Sequence, residues 1–230
     1  MEISENTIGA FLTKSKLTRI VLPFLAIATV CYALYFIFMV VPNERIMGAV
    51  QRIFYFHVAS AFISYLMIAV LFVGSVLYLV KKKNYFDLLA ASAAEIAFLL
   101  CTIVLISGMI WGNAAWNTWW RWEPRLVSFL VLWLILLSYL LLRAFTESHQ
   151  QQKIFSAVLG ILSAINVPIV IYSIKLLEQT EQLHPEVVAK QGLQDSSFIY
   201  GLLYSTIALF FLGLWLLVVS LQVKLAENFK

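Results

Sequence analysis

Six long apolar stretches alternate with short polar ones along the chain. In order they are Ile20–Val41, Phe54–Val80, Leu88–Ile110, Leu126–Leu142, Ile154–Ile174 and Phe198–Val223. Each has at least the roughly 17 residues that a helix needs to cross the hydrocarbon of a bilayer. The breaks between them are clear. Pro42-Asn43 ends the first run, the Lys81-Lys82-Lys83 triplet stops the second, and Arg143 stops the fourth. Backbone polar groups inside lipid must be satisfied within their own segment, so spans of this kind are helices. The pattern predicts an all-α polytopic membrane protein of six transmembrane helices. We read residues 1–230 as one six-span domain, with one external loop at 111–125 and a longer one at 175–197. Lys14, Lys16 and Arg19 before the first run give it the look of a signal peptide. The run is too long for an ordinary signal core and no small-residue cleavage site follows it, so it is expected to stay as the first span.

Composition supports this class. The chain is 62% hydrophobic and only 12% charged, where a soluble domain carries about a quarter charged residues. The net charge of +4 comes from lysines and arginines clustered in loops. It therefore reads as a topology signal and not as a nucleic-acid surface. Ten of the Lys/Arg residues fall on the side of the termini and of the loops around 81–87 and 143–153, and six on the other side. The excess of positive charge predicts that the N- and C-termini are cytoplasmic. Cys31 and Cys101 lie inside apolar runs and neither belongs to a CxxC. They read as packing residues, which argues against thiol-redox chemistry or covalent haem attachment to this chain.

The chemistry concentrates between the third and fourth spans. Trp111 to Arg125, WGNAAWNTWWRWEPR, holds five of the seven tryptophans together with Arg121, Glu123 and Arg125. If its middle is helical, Trp116, Trp119, Trp120 and Glu123 share one face. Pro124 would then suit the first turn of the next helix. Two readings of the tryptophans compete. One is an aromatic belt at the membrane–water boundary. The other is a stacking platform for a large flat apolar ligand with charged edges, and the crowding of indoles into one loop favours it. On the predicted topology two of the three histidines share that outer side. His57 is at the end of the second span and His184 in the longest loop, while His149 falls in a cytoplasmic loop. Two neutral imidazoles can hold haem iron from opposite faces. Haem is flat enough to stack on indole, and its propionates suit arginine. Arg52 and Arg125 lie near the same boundary. Either could equally be plain flanking charge. Glu123 could orient an imidazole, pair with an arginine, or simply be an acid at a helix N-terminus. Within the spans, Glu95 could contact another helix or another subunit, and Asn166 with Pro168 suggests a kink with local hydrogen bonding.

These residues carry a resemblance. Trp111-Gly112, Trp116 and the run Thr118-Trp119-Trp120-Arg121-Trp122-Glu123-Pro124-Arg125-Leu126 resemble the tryptophan-rich WWD motif of the haem-handling proteins of cytochrome c biogenesis. The chain length, six spans and single outward motif loop resemble the haem exporter protein C family, also called cytochrome c maturation protein C. Arg52-Ile53-Phe54-Tyr55-Phe56-His57-Val58 is similar to that family's first histidine segment, and His184 matches its second. The resemblance covers nearly the whole chain. It implies a non-enzymatic assembly factor in a bacterial inner membrane, binding haem b at the external, periplasmic face. His57 and His184 would be the axial iron ligands. Trp111, Trp116, Trp119, Trp120, Trp122 and Glu123 would form the haem site, and Arg52 and Arg125 would hold propionates. The implied partners are a membrane-anchored haem chaperone (cytochrome c maturation protein E), the ATPase and membrane subunits of an ABC transporter, and a small single-span protein (cytochrome c maturation protein D). Glu123 stands where the family motif usually has Asp, which keeps the charge and lengthens the reach by one methylene. The alternative is a haem lyase that joins haem to apocytochrome directly. That class tends to be longer, with histidines deep in its spans, and this chain has three histidines with none placed there.

Overall fold

The computed structural model describes residues 15–45, 47–176 and 196–227, and of 174–176 the backbone alone. Six helices long and apolar enough to cross a membrane are present among them, as the chain pattern predicts. The first span covers Leu17–Val40; it is an α-helix over Leu22–Tyr35, here α1, flanked by wider π-type turns at Leu17–Val21 and Phe36–Val40. After a 3-10 turn at Ala49–Gln51 come α2 (Arg52–Lys81), α3 (Asn84–Trp116), α4 (Pro124–Phe145), α5 (His149–Leu176) and α6 (Ser196–Glu227). The helices run up and down, so the Trp116–Pro124 connection shares one end of the bundle with the starts of α2 and α6. The α2–α3 turn and the end of α6 are at the other.

Helices α2 and α3 pack against each other most extensively and form the centre, with α5 and α6 against α2 and α1 on α6. The reason is written in small residues. Ala90, Ala91, Ala93, Ala94 and Ala97 of α3 are all buried, and an added Cβ on Gly74 of α2 would stand 3.1 Å from the Ala90 Cβ. In lipid, where burial of apolar area gives little drive between helices, such close backbone approach is what packing uses. Larger side chains fill the remaining space, among them Met67, Ile68, Leu71, Leu132 and Leu136. Some buried serines satisfy themselves on their own helix, as Ser64 does on the Ala61 carbonyl and Ser163 on the Gly160 carbonyl.

Charge inside this apolar body is paired. Arg143 near the end of α4 reaches Asp87 of α3 with two parallel bonds of 2.7 and 3.0 Å, and Asp87 is buried. Lys224 of α6 donates to both oxygens of Glu95 at 2.7 Å, and Ser220 donates to the same carboxylate. Glu95 thus contacts another helix, one of the two outcomes its sequence position allowed. Asn166 does not bond locally as expected: its Nδ2 donates across to the Ser128 carbonyl of α4 at 3.0 Å. Both pairs of charges lie toward the end remote from the tryptophans, where they tie α3 to α4 and to α6.

Candidate functional site

The tryptophan segment is less of a loop than its composition suggests. Helix α3 continues for two turns past Ile110 and ends at Trp116, with Asn117 in the left-handed conformation at φ 54°. At 33 residues it is about 50 Å long by the helical rise, well beyond the roughly 30 Å of hydrocarbon. The Asn117 N–H closes on the Asn113 carbonyl at 3.0 Å, and the chain doubles back so that Thr118 lies over Gly112. An added Cβ on Gly112 would stand 2.9 Å from the Thr118 carbonyl oxygen, so the turn needs glycine there. From Thr118 to Glu123 the chain is not helical. The shared helical face of Trp116, Trp119, Trp120 and Glu123 therefore does not form: a left-handed residue at 117 breaks the register between the first and the rest. Pro124 does occupy the first turn of α4, with Glu123 at its N-cap position in extended conformation.

His57 sits in the second turn of α2 and is 9% exposed. Its ring lies against α3. Nδ1 is 3.1 Å from the Ser107 hydroxyl. An added Cβ on Gly108 would stand 3.0 Å from the ring's Cε1. The Trp111 indole is 6.1 Å away, centroid to centroid, tilted by 57°. Trp111 in turn meets Phe54 at 6.1 Å and Trp116 at 5.6 Å. Trp111 is itself buried, in a cluster with Ile37, Tyr55 and Leu202, so it backs the imidazole from within the bundle. Arg125, in the first turn of α4, is close enough for its charge to act on His57.

Beyond this core the indoles open outward. Trp120 and Trp122 meet edge to face at 5.8 Å. Trp122 is 77% exposed and Trp119 56%. The Trp111 and Trp120 Nε1 atoms are buried and find no hydrogen-bond acceptor among the described residues. An indole N–H can only donate, and orphaned buried donors are rare, so the Trp120 N–H on the connection to α4 suits a ligand bearing acceptors. Glu123 is 7% exposed and lies 3.9 Å from Arg121 Nε. Of the roles open to it from sequence, position at a helix start and pairing with an arginine are both met.

Arg52 is held at the end of the first span. Its Nε donates to the Ile37 carbonyl at 3.2 Å, and its guanidinium carbon is 5.8 Å from the Phe38 ring centre. Like a C-terminal cap it satisfies a helix carbonyl. His184 lies outside the described residues, and His149 is an exposed residue at the start of α5. The structure thus brings His57, Trp111, Trp116 and Arg125 into one neighbourhood, with Trp119, Trp120, Trp122 and Glu123 following Trp116 on the connection to α4. Sequence reading missed Ser107 and Gly108. No sequence signal marks them, since their place depends on α3 facing His57 of α2.

A ring nitrogen beside a hydroxyl, and exposed indoles, a buried indole donor and a guanidinium on the neighbouring connection and helix start, are groups that suit a planar aromatic molecule with an acidic edge. Comparison with known proteins points the same way. The family description "CcmC: Heme exporter protein C" matches residues 6–229. Heme exporter protein C of Bradyrhizobium diazoefficiens is 32% identical over 196 residues, covering 84% of this chain and 74% of the relative. That of Paracoccus denitrificans is 29% identical over 171 residues, covering 74% and 71%. The Escherichia coli K12 protein of the same name is 30% identical over 134 residues, covering 58% and 55%. With the match running over nearly its whole length, and with the six spans in place, the chain belongs to the haem exporter protein C family.

Proposed function

We propose that this protein receives haem b at the tryptophan end of the bundle and presents it to a haem chaperone for cytochrome c maturation. The observation that carries the reading is the chain of rings from His57 through Trp111 to Trp116, with the exposed indoles of Trp119 and Trp122 on the connection that follows it. His57 and His184 would supply the imidazole nitrogens that hold the iron. Trp119, Trp120 and Trp122 would cover the porphyrin, with Trp111 as the support behind His57. Arg125 would pair with a propionate. Arg52 would do so through its terminal nitrogens while its Nε keeps the first span in place. Glu123 holds Arg121 in this arrangement and starts α4, and the longer Glu side chain is compatible with both tasks.

Bound haem supplies a redox-active iron and a reactive vinyl edge; the chain itself supplies orientation and shielding. No covalent step is assigned to its own side chains, so the role is delivery and not catalysis. The loop charges favour a tryptophan end outside the cytoplasm of a bacterial inner membrane. The partners that suit this role are the membrane-anchored chaperone, cytochrome c maturation protein E, and an ABC transporter ATPase with its membrane subunit. The small single-span cytochrome c maturation protein D completes the set. The test is co-expression with the chaperone in haem-replete cells. Wild type should yield chaperone carrying covalent haem, and a Trp119→Ala/Trp122→Ala variant should yield at least tenfold less at equal membrane abundance. Equal chaperone loading by the two would overturn the proposal.

A further inference from the structure

Ser107 is tied to two partners at once. Its hydroxyl donates to the Ile103 carbonyl one turn back on α3, at 2.6 Å, with the Val104 carbonyl at 3.3 Å. A serine has a single proton to give and two lone pairs to receive with. With that proton committed to the short helix bond, the oxygen can only accept from His57 Nδ1, 3.1 Å away. The pairing is met by the tautomer that carries the ring proton on Nδ1, with the lone pair on Nε2. The ring's other neighbours fix its plane. Gly108 leaves the gap that Cε1 fills, since a Cβ there would approach to 3.0 Å, and Trp111 closes a further side. The two contacts on α3 come from adjacent residues.

We infer that Ser107 is a positioning residue, which holds His57 in the Nδ1–H tautomer and orients Nε2 as the atom offered to a metal. This deepens the proposed haem reading and rests on it. Metal-ligating histidines commonly donate their second N–H to a fixed acceptor, and loss of that acceptor typically costs about 10–100-fold in affinity. Ser107 stands in that relation to His57. The adjacent Gly108 sets how close α3 comes, so the pair acts as one rigid seat.

The experiment compares purified wild type, Ser107→Ala, Ser107→Thr and His57→Ala for haem affinity and for the electron paramagnetic resonance spectrum of ferric haem. Ser107→Ala should bind haem about 10–100-fold more weakly, with shifted low-spin g values. Ser107→Thr restores the hydroxyl and should return both toward wild type. Should Ser107→Ala fail to accumulate in membranes, Ser107→Cys takes its place, having a similar volume and only a weak acceptor. Wild-type affinity and g values in the variant lacking the hydroxyl would overturn the role of Ser107, provided His57→Ala loses the signal. Wild-type behaviour of His57→Ala would instead overturn the ligand reading beneath it. A Ser107→Thr variant as impaired as Ser107→Ala would also count against the hydroxyl and point to packing.

Discussion

Gly108→Ala separates the proposed haem site from the stability of the fold. The added Cβ would stand 3.0 Å from His57 Cε1 and 3.5 Å from Nδ1. Favourable carbon–carbon contact begins near about 3.5 Å, so the ring must withdraw by roughly half an ångström. The Ser107–Nδ1 bond starts at 3.1 Å, so a withdrawal of that size takes it to the edge of useful hydrogen bonding. A second effect works in the opposite direction. Replacing glycine by alanine within a helix stabilises it by about 0.5–1 kcal/mol. The two nearly cancel for the fold, because a sub-ångström shift of one ring near the end of the bundle is a small strain. They do not cancel for a ligand that needs the imidazole in one place. Thermal unfolding in detergent should therefore stay within about 1 kcal/mol of wild type while haem affinity drops about tenfold or more. Titration of haem into the purified apoprotein, read by the Soret band, measures the second quantity. A Gly108→Ala protein with wild-type affinity and spectrum would refute the argument that α3 seats the ligand histidine.

Other substitutions test neighbouring parts of the account. Trp111→Ala, which opens a cavity in a buried cluster, should cost about 3–5 kcal/mol in unfolding measurements. Trp122→Ala, at a residue 77% exposed, should change stability by no more than about 0.5 kcal/mol and act on haem binding alone; the reverse order would contradict the assignment of one indole to support and the other to ligand contact. Removing Arg143 leaves the buried Asp87 carboxylate without its two parallel bonds, so Arg143→Met should destabilise by about 3–5 kcal/mol. Asp87→Leu combined with Arg143→Met should recover much of that, and a double-mutant cycle by thermal melting checks it.

Most of the architecture was legible in the sequence because lipid leaves so few options. Six apolar runs bounded by lysines, arginines and Pro42-Asn43 became six helices. Their ends were misplaced where helices leave the hydrocarbon. Helix α3 runs on to Trp116 since nothing in Trp111–Trp116 breaks it, and Asn117 does so through its own left-handed conformation. No hydropathy pattern carries that stop. The residue types of the proposed site were visible, with the tryptophans, His57 and Arg125 all singled out. Its geometry was not. Burial divides the tryptophans into a support at Trp111 and open faces at Trp119 and Trp122, and composition treats all of them alike. Ser107 and Gly108 escaped notice because their meaning depends on which face of α2 they meet, a long-range fact. The Arg143–Asp87 pair was missed for the same reason, joining residues 56 apart in sequence.

The central claim is that His57 and His184 share one haem iron. Electron paramagnetic resonance of ferric haem in the wild type, His57→Ala and His184→Ala proteins tests it directly. The account predicts a low-spin signal with two nitrogen ligands in the wild type. Each single variant should lose that signal and regain it when imidazole is added. An unchanged bis-imidazole signal in either variant without added imidazole would contradict it.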